Sequence, residues 1–130
     1  MSAERALFGA YREWRRLAVA GQRAIHKKDW NFLLECQSIT RKLQSAIPHL
    51  AREARDEWRQ HKLDIPAKEQ ELRASILDLM QLLESNKKLL SAARAAAISR
   101  RDKIQQAGRN LKRLESSYAS ACASGRITFS

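Results

Sequence analysis

Glycine and proline are scarce, at four and two residues in a chain of 130, and aromatic residues make up only 6%. So few chain-breaking and strand-favouring residues, beside abundant Ala, Leu, Arg, Lys, Glu and Gln, argue against a β-rich fold and for a mostly helical one. Long apolar runs are also missing, which excludes a bilayer-spanning helix. No signal-peptide pattern opens the chain, so the expected location is cytoplasmic. There are two cysteines, Cys36 and Cys122, far apart and without a CxxC partner. Both are expected to be reduced thiols acting as small apolar fillers.

Catalytic constellations are absent as well. His26, His49 and His61 are scattered, with no HExxH pattern and no His/Cys cluster at metal-ligand spacing. The chain has no glycine-rich phosphate loop and no GxSxG elbow. Glu53, Asp56 and Glu57 read as surface helix carboxylates. The expectation is a protein that is not an enzyme and holds neither metal nor cofactor.

What the chain does have is positive charge, a formal +11. Residues 87–113 hold nine Lys or Arg against one Asp. A basic surface suits nucleic acid, anionic lipid or an acidic protein, and charge alone does not choose.

Apolar spacing divides the chain into three helices. The first is expected over 3–27, with Ser2 as N-cap and a seam of Leu7, Tyr11, Trp14, Ala18, Gly21 and Ile25. Asp29 caps a second, over 29–61, whose seam runs through Cys36, Thr40, Leu43, Ile47, Leu50, Ala54 and Trp58. Pro48 should interrupt it, yet the seam keeps its phase across the proline. A kinked, continuous helix is expected; two short helices laid end to end fit the same residues. Trp14, Trp30 and Trp58 read as core anchors between helices one and two.

After a connector at 62–65, Pro66 suits the first position of a third helix, expected over 66–121. Its seam alternates steps of three and four without a break from Leu72 to Tyr118, the heptad signature of coiled-coil packing. Gly125 is the expected stop, leaving a tail at 126–130. The chain as a whole reads as an all-α antiparallel three-helix bundle or coiled coil, one domain over about residues 1–125.

Helix lengths then matter. At roughly 1.5 Å per residue the third helix spans on the order of 80 Å, the second about 50 Å and the first about 40 Å. A tight connector makes helices two and three antiparallel, so cover for helix three should end near Ala97. The seam from about Arg100 to Tyr118 then needs another chain or a copy of itself.

The seam also thins. Between Leu83 and Ile104 it passes through Asn86, Leu90, Ala93, Ala97 and Arg100. Asn86 either sets register at some cost in stability or sits at the solvent edge of the bundle. Ala93 and Ala97 leave room for another helix's side chains. Lys87, Arg94 and Arg101 recur every seven residues beside the seam. They either edge a groove for an acidic amphipathic helix or form a solvated face. Residues 87–113 contain no aromatic for base stacking and no helix-turn-helix pattern, which argues against nucleic acid.

Three stretches resemble flagellar type III export chaperones of the FlgN and FliT type. They are KKDWNFLLECQSITRKL (27–43), LLESNKKLL (82–90) and LKRLESSYASACASG (111–125). The chain departs from that pattern in its high basicity, in Pro48 and in the lack of a Gly directly after Tyr118. The resemblance implies a cytosolic chaperone without ATPase activity. Such a protein holds the C-terminal helix of a late secretion substrate (hook-filament junction, cap or filament type) and delivers it to the export gate. It would place Leu83, Asn86, Leu90, Ala93 and Ala97 in the substrate groove, and Leu111, Leu114 and Tyr118 at an export-gate contact. Three other readings stand beside it: a structural coiled-coil or export-apparatus stalk protein, a homodimer pairing through helix three, and a basic helical nucleic-acid module.

Overall fold

The computed structural model describes residues 2–123, with side chains as far as Ala121. The expected stop at Gly125, the tail at 126–130 and the thiol of Cys122 lie outside the described residues. Three helices account for nearly all of it: α1 (Ser2–Lys27), α2 (Trp30–Gln60) and α3 (Ile65–Ala123). The fold is all-α.

Local chemistry explains the boundaries. Ser2 belongs to α1 itself and is not its cap; the free N–H of Ala3 instead donates to Glu57 Oε2 on α2 at 2.9 Å. Glu57 is therefore not a bland surface carboxylate, since it satisfies an unpaired donor at the positive end of the α1 dipole. Both α1 and α2 end in a left-handed residue, Lys28 (φ 59°) and Lys62 (φ 55°). Each terminus is closed by two backbone bonds. Lys28 N–H reaches the Ile25 carbonyl and Asp29 N–H reaches that of Ala24, while Lys62 and Leu63 reach Arg59 and Trp58. That pattern reverses the chain tightly and gives the last helical carbonyls their donors.

Asp29 then caps α2, accepting from Phe32 N–H at 3.2 Å. Asp64 caps α3 in the same way through Ala67 N–H at 3.2 Å. The first residue of α3 is thus Ile65, one before the expected Pro66, and the proline sits in the first turn where its missing N–H is harmless. Pro48 lies inside α2, which runs on through it as one helix rather than two.

The described residues form two units, one ending at Ser91 and one beginning at Ala92. In the first, α1 and α2 are antiparallel across the Lys28–Asp29 turn, and α3 returns alongside both. Three ion pairs tie the start of α3 to its neighbours: Lys68 to Glu4, Arg15 to Asp78, and Arg55 to Glu69, each at 2.7 Å. All are partly exposed, so each contributes little, about 1 kcal/mol at most.

The core of this unit has two parts. At one end Leu7, Ala54, Trp58 and Leu72 are buried together, with Leu7 and Trp58 wholly enclosed. At the other, Ala24, Ile25 and Leu33 pack with Leu89. The first unit thus closes about six residues before Ala97, because the α1–α2 turn lies level with Leu89 rather than further along. Of the three tryptophans only Trp58 is a core anchor. Trp30, in the first turn of α2, is 42% exposed, and Trp14 is half-buried. In the second unit α3 is exposed almost throughout from Ala92 to Ser120, with Ala93 half-buried.

Candidate functional site

Between the two parts of the core the three helices do not meet fully. On α1 the inward positions at this level include the small residues Ala18 and Gly21. On α2 they include the polar residues Gln37, Thr40 and Gln44, and on α3 Asn86 takes a seam place. What remains is a groove of about 410 Å³, walled by Trp14, Leu17, Ile25, Leu33 and Leu83 and open past Arg41, Lys87 and Leu90. Thr40 spends its hydroxyl on the Cys36 carbonyl one turn back, at 2.8 Å. Cys36 is buried against the groove, and that burial pushes its thiol pKa up, so it is a poor nucleophile.

Asn86 is half-buried and donates through Nδ2 to the Ala18 carbonyl at 2.8 Å, joining α3 to α1. Its Oδ1 and the indole N–H of Trp14 are both buried without a hydrogen-bond partner. Tyr11 stacks on Trp14 with ring centroids 6.3 Å apart, and burial raises the Tyr11 hydroxyl pKa, opposed by the charge of Arg55. The groove therefore offers an apolar floor and a rim with two cations from different helices, while two unpartnered polar atoms lie shielded in residues of its walls. It contains no acid–base pair for catalysis. Among the described residues no three His, Cys, Asp or Glu side chains are placed to hold a metal ion.

The structure divides the residues singled out from the sequence. Leu83, Asn86 and Leu90 line the groove, as does Lys87 from the basic edge. Ala93, Ala97, Arg94 and Arg101 belong to the second unit and do not line it. Sequence reasoning missed the parts of the groove supplied by α1 and α2, above all Gly21, Thr40 and Arg41. The one available signal was the run of polar residues on the inner face of α2.

The second unit carries a different surface. Ile98, Ile104, Leu111, Leu114 and Tyr118 are all exposed, Ile104 by 72% and Leu114 by 67%. Over residues 92–121, seven Lys or Arg stand against Asp102 and Glu115. Leu111, Leu114 and Tyr118, expected at a gate contact, are thus an uncovered apolar row beside cations. No helix among the described residues is long and apolar enough to cross a membrane. No protein-family model, no curated protein and no solved structure matches the chain.

Proposed function

We propose that the protein is a binding chaperone whose α3 receives an acidic amphipathic helix from a partner protein. The observation that carries this reading is the exposed apolar row Ile104, Leu111, Leu114 and Tyr118 on a strongly basic stretch of helix. A row of that size left in water is unfavourable by roughly 25 cal/mol for each Å² of apolar area, and a partner helix removes it. The surrounding cations favour carboxylates on that partner. Parallel in-register pairing with a second copy is disfavoured, since it would set Arg100 against its own copy at a seam position; an antiparallel pair escapes that clash and is left to the test below.

The resemblance to flagellar export chaperones narrows the partner to the C-terminal helix of a late secretion substrate, held in the cytoplasm and passed to the export gate. In this reading Ala93 and Ala97 leave space for the substrate's larger side chains, and Arg94 and Arg101 face its acidic edge. The thin seam would make a temporary core, filled when the substrate arrives and emptied without unfolding the first unit.

The test mixes the full chain with the C-terminal segments of flagellar junction, cap and filament proteins, and measures complex mass by light scattering after size exclusion. A one-to-one complex is expected. It should be lost in Ile104→Glu/Leu111→Glu and in Ala97→Trp, with far-UV helicity unchanged. Binding by none of these segments would remove the flagellar assignment. A stable dimer of the protein alone, which such segments cannot dissolve, would favour a structural coiled coil.

A further inference from the structure

We infer that the groove of the first unit is a second binding site, one that takes a single large apolar side chain from an acidic peptide segment. The inference rests on the reading of the protein as a binder of acidic segments. Leu83, Asn86 and Leu90, which the resemblance places in a substrate groove, supply the α3 wall, and the walls from α1 and α2 are what it adds.

Three observations carry it. The groove encloses about 410 Å³ over a floor of aliphatic side chains. That lies within the ordinary range for ligand pockets, and a site of this make-up suits a phenylalanine or leucine side chain. Its rim is of one sign. Arg41 from α2 and Lys87 from α3 both line it, both are exposed, and neither is in an ion pair among the described residues. No carboxylate lines the groove. Carboxylates flanking a bound side chain would therefore meet two unpaired cations and no carboxylate in the lining.

The third observation selects a peptide over a simple carboxylate amphiphile. The Trp14 N–H and the Asn86 Oδ1 are shielded and without a partner, in two residues that line one groove. A peptide backbone brings one acceptor and one donor per residue and can answer both, once its entry shifts these side chains out of their present shielding. A fatty-acid chain brings no donor. Gly21 helps make the room, because a Cβ built there would meet only Leu33 Cδ1, at 3.4 Å, on the groove's wall.

The experiment is a fluorescence-anisotropy titration of the full-length protein against a labelled, amidated pentapeptide, Glu-Glu-Phe-Glu-Glu. Saturable binding is expected. Replacing the central phenylalanine by alanine, or reversing the rim with Arg41→Glu/Lys87→Glu, should each weaken it about tenfold or more. A lysine-flanked phenylalanine peptide should not bind, and Thr40→Trp, which fills the groove from its rim, should abolish binding. If Thr40→Trp loses far-UV helicity, the rim variant decides, since both its positions are exposed. Ile104→Glu/Leu111→Glu should leave pentapeptide binding unchanged, which separates this site from the seam of α3. No saturation up to about 1 mM, equal binding of the alanine peptide, or indifference to the rim reversal would each overturn the proposal. Binding of octanoate without binding of the peptide would make the groove a lipid site and overturn it too.

Discussion

Asn86 and Ala18 are separated by 68 positions in the chain and joined by a hydrogen bond of 2.8 Å from Asn86 Nδ2 to the Ala18 carbonyl. As a carbonyl in the middle of α1, that of Ala18 already serves its own helix, so the asparagine adds a second, cross-helix partner. The cost is Oδ1, which is buried and unpaired. An orphaned buried acceptor costs about 1–3 kcal/mol, whereas an ordinary hydrogen bond contributes about 1 kcal/mol net. The bond is thus a weak source of stability and a strong marker of how α3 aligns with α1.

Replacing this residue should accordingly raise stability. Asn86→Leu removes the orphaned acceptor and restores an apolar seam between Leu83 and Leu90. An increase of about 1 kcal/mol in unfolding free energy is expected by urea denaturation. A loss of similar size would show that the bond to Ala18 outweighs the unpaired oxygen.

The two left-handed lysines are a second place where the chain is not at its optimum. Lys28 and Lys62 hold φ values of 59° and 55°, a region that L side chains enter at a cost and glycine enters freely. Lys28→Gly and Lys62→Gly should each stabilise the first unit by about 0.5–1 kcal/mol, after the greater entropy of glycine in the unfolded chain is subtracted. Thermal melts of the single and double variants test this, and the two effects should add because the sites lie at separate turns.

Acid should weaken the clasp between α2 and α3. Glu69 accepts from Arg55 at 2.7 Å, and that bond, with the nearby charges of Arg55 and Arg73, holds its carboxyl below the usual range. A carboxylate whose folded pKa is depressed contributes stability above its unfolded pKa and loses it as pH falls through the folded value. Between about pH 5 and pH 3, the native protein should therefore lose more stability than Glu69→Gln does. The difference should stay below about 1 kcal/mol, because both partners are partly exposed. Parallel acid profiles for the two proteins would show that the clasp contributes nothing.

Gly108 offers the cleanest measurement in the second unit. A Cβ built there meets no atom within 4 Å, so packing gives no reason for the glycine. Gly108→Ala should stabilise the surrounding helix by about 1 kcal/mol and raise the far-UV helical signal at elevated temperature. If it also weakens partner binding, local softness at this position serves docking.

Much of the fold was legible because helices announce themselves locally. The step of three and four residues placed all three, and the short polar side chain of Asp29 marked the start of α2 within a residue. Ser2 and Pro66 misled by one position each: at α3 the cap is the nearby Asp64, but at α1 the partner comes from elsewhere in the fold. Glu57 reaching Ala3 is such a case, and no window along the chain contains both. Trp30 misled more seriously: large and apolar, it lies in the first turn of α2 and stays 42% exposed.

The candidate groove was half legible. Leu83, Asn86, Lys87 and Leu90 could be picked out because they interrupt or flank a regular seam on one helix. Gly21 and Thr40 were legible only as seam positions of their own helices and Arg41 not at all, because their part in the groove depends on what each faces.

By itself the sequence determined that this chain is helical, where its helices begin and turn to within a residue or so, and that basic charge gathers over residues 87–113. Those properties depend on neighbours a few residues away: hydrogen bonds within a turn, caps, side-chain period and composition. Only the tertiary structure decided that Asn86 would answer Ala18, that cover would close at Leu89, and that small and polar residues from three helices would coincide in one groove. Such outcomes depend on the relative offset of whole helices. That offset is set by the tight turns at Lys28 and Lys62 and by packing around Leu7, Trp58 and Leu72, and no local pattern records it.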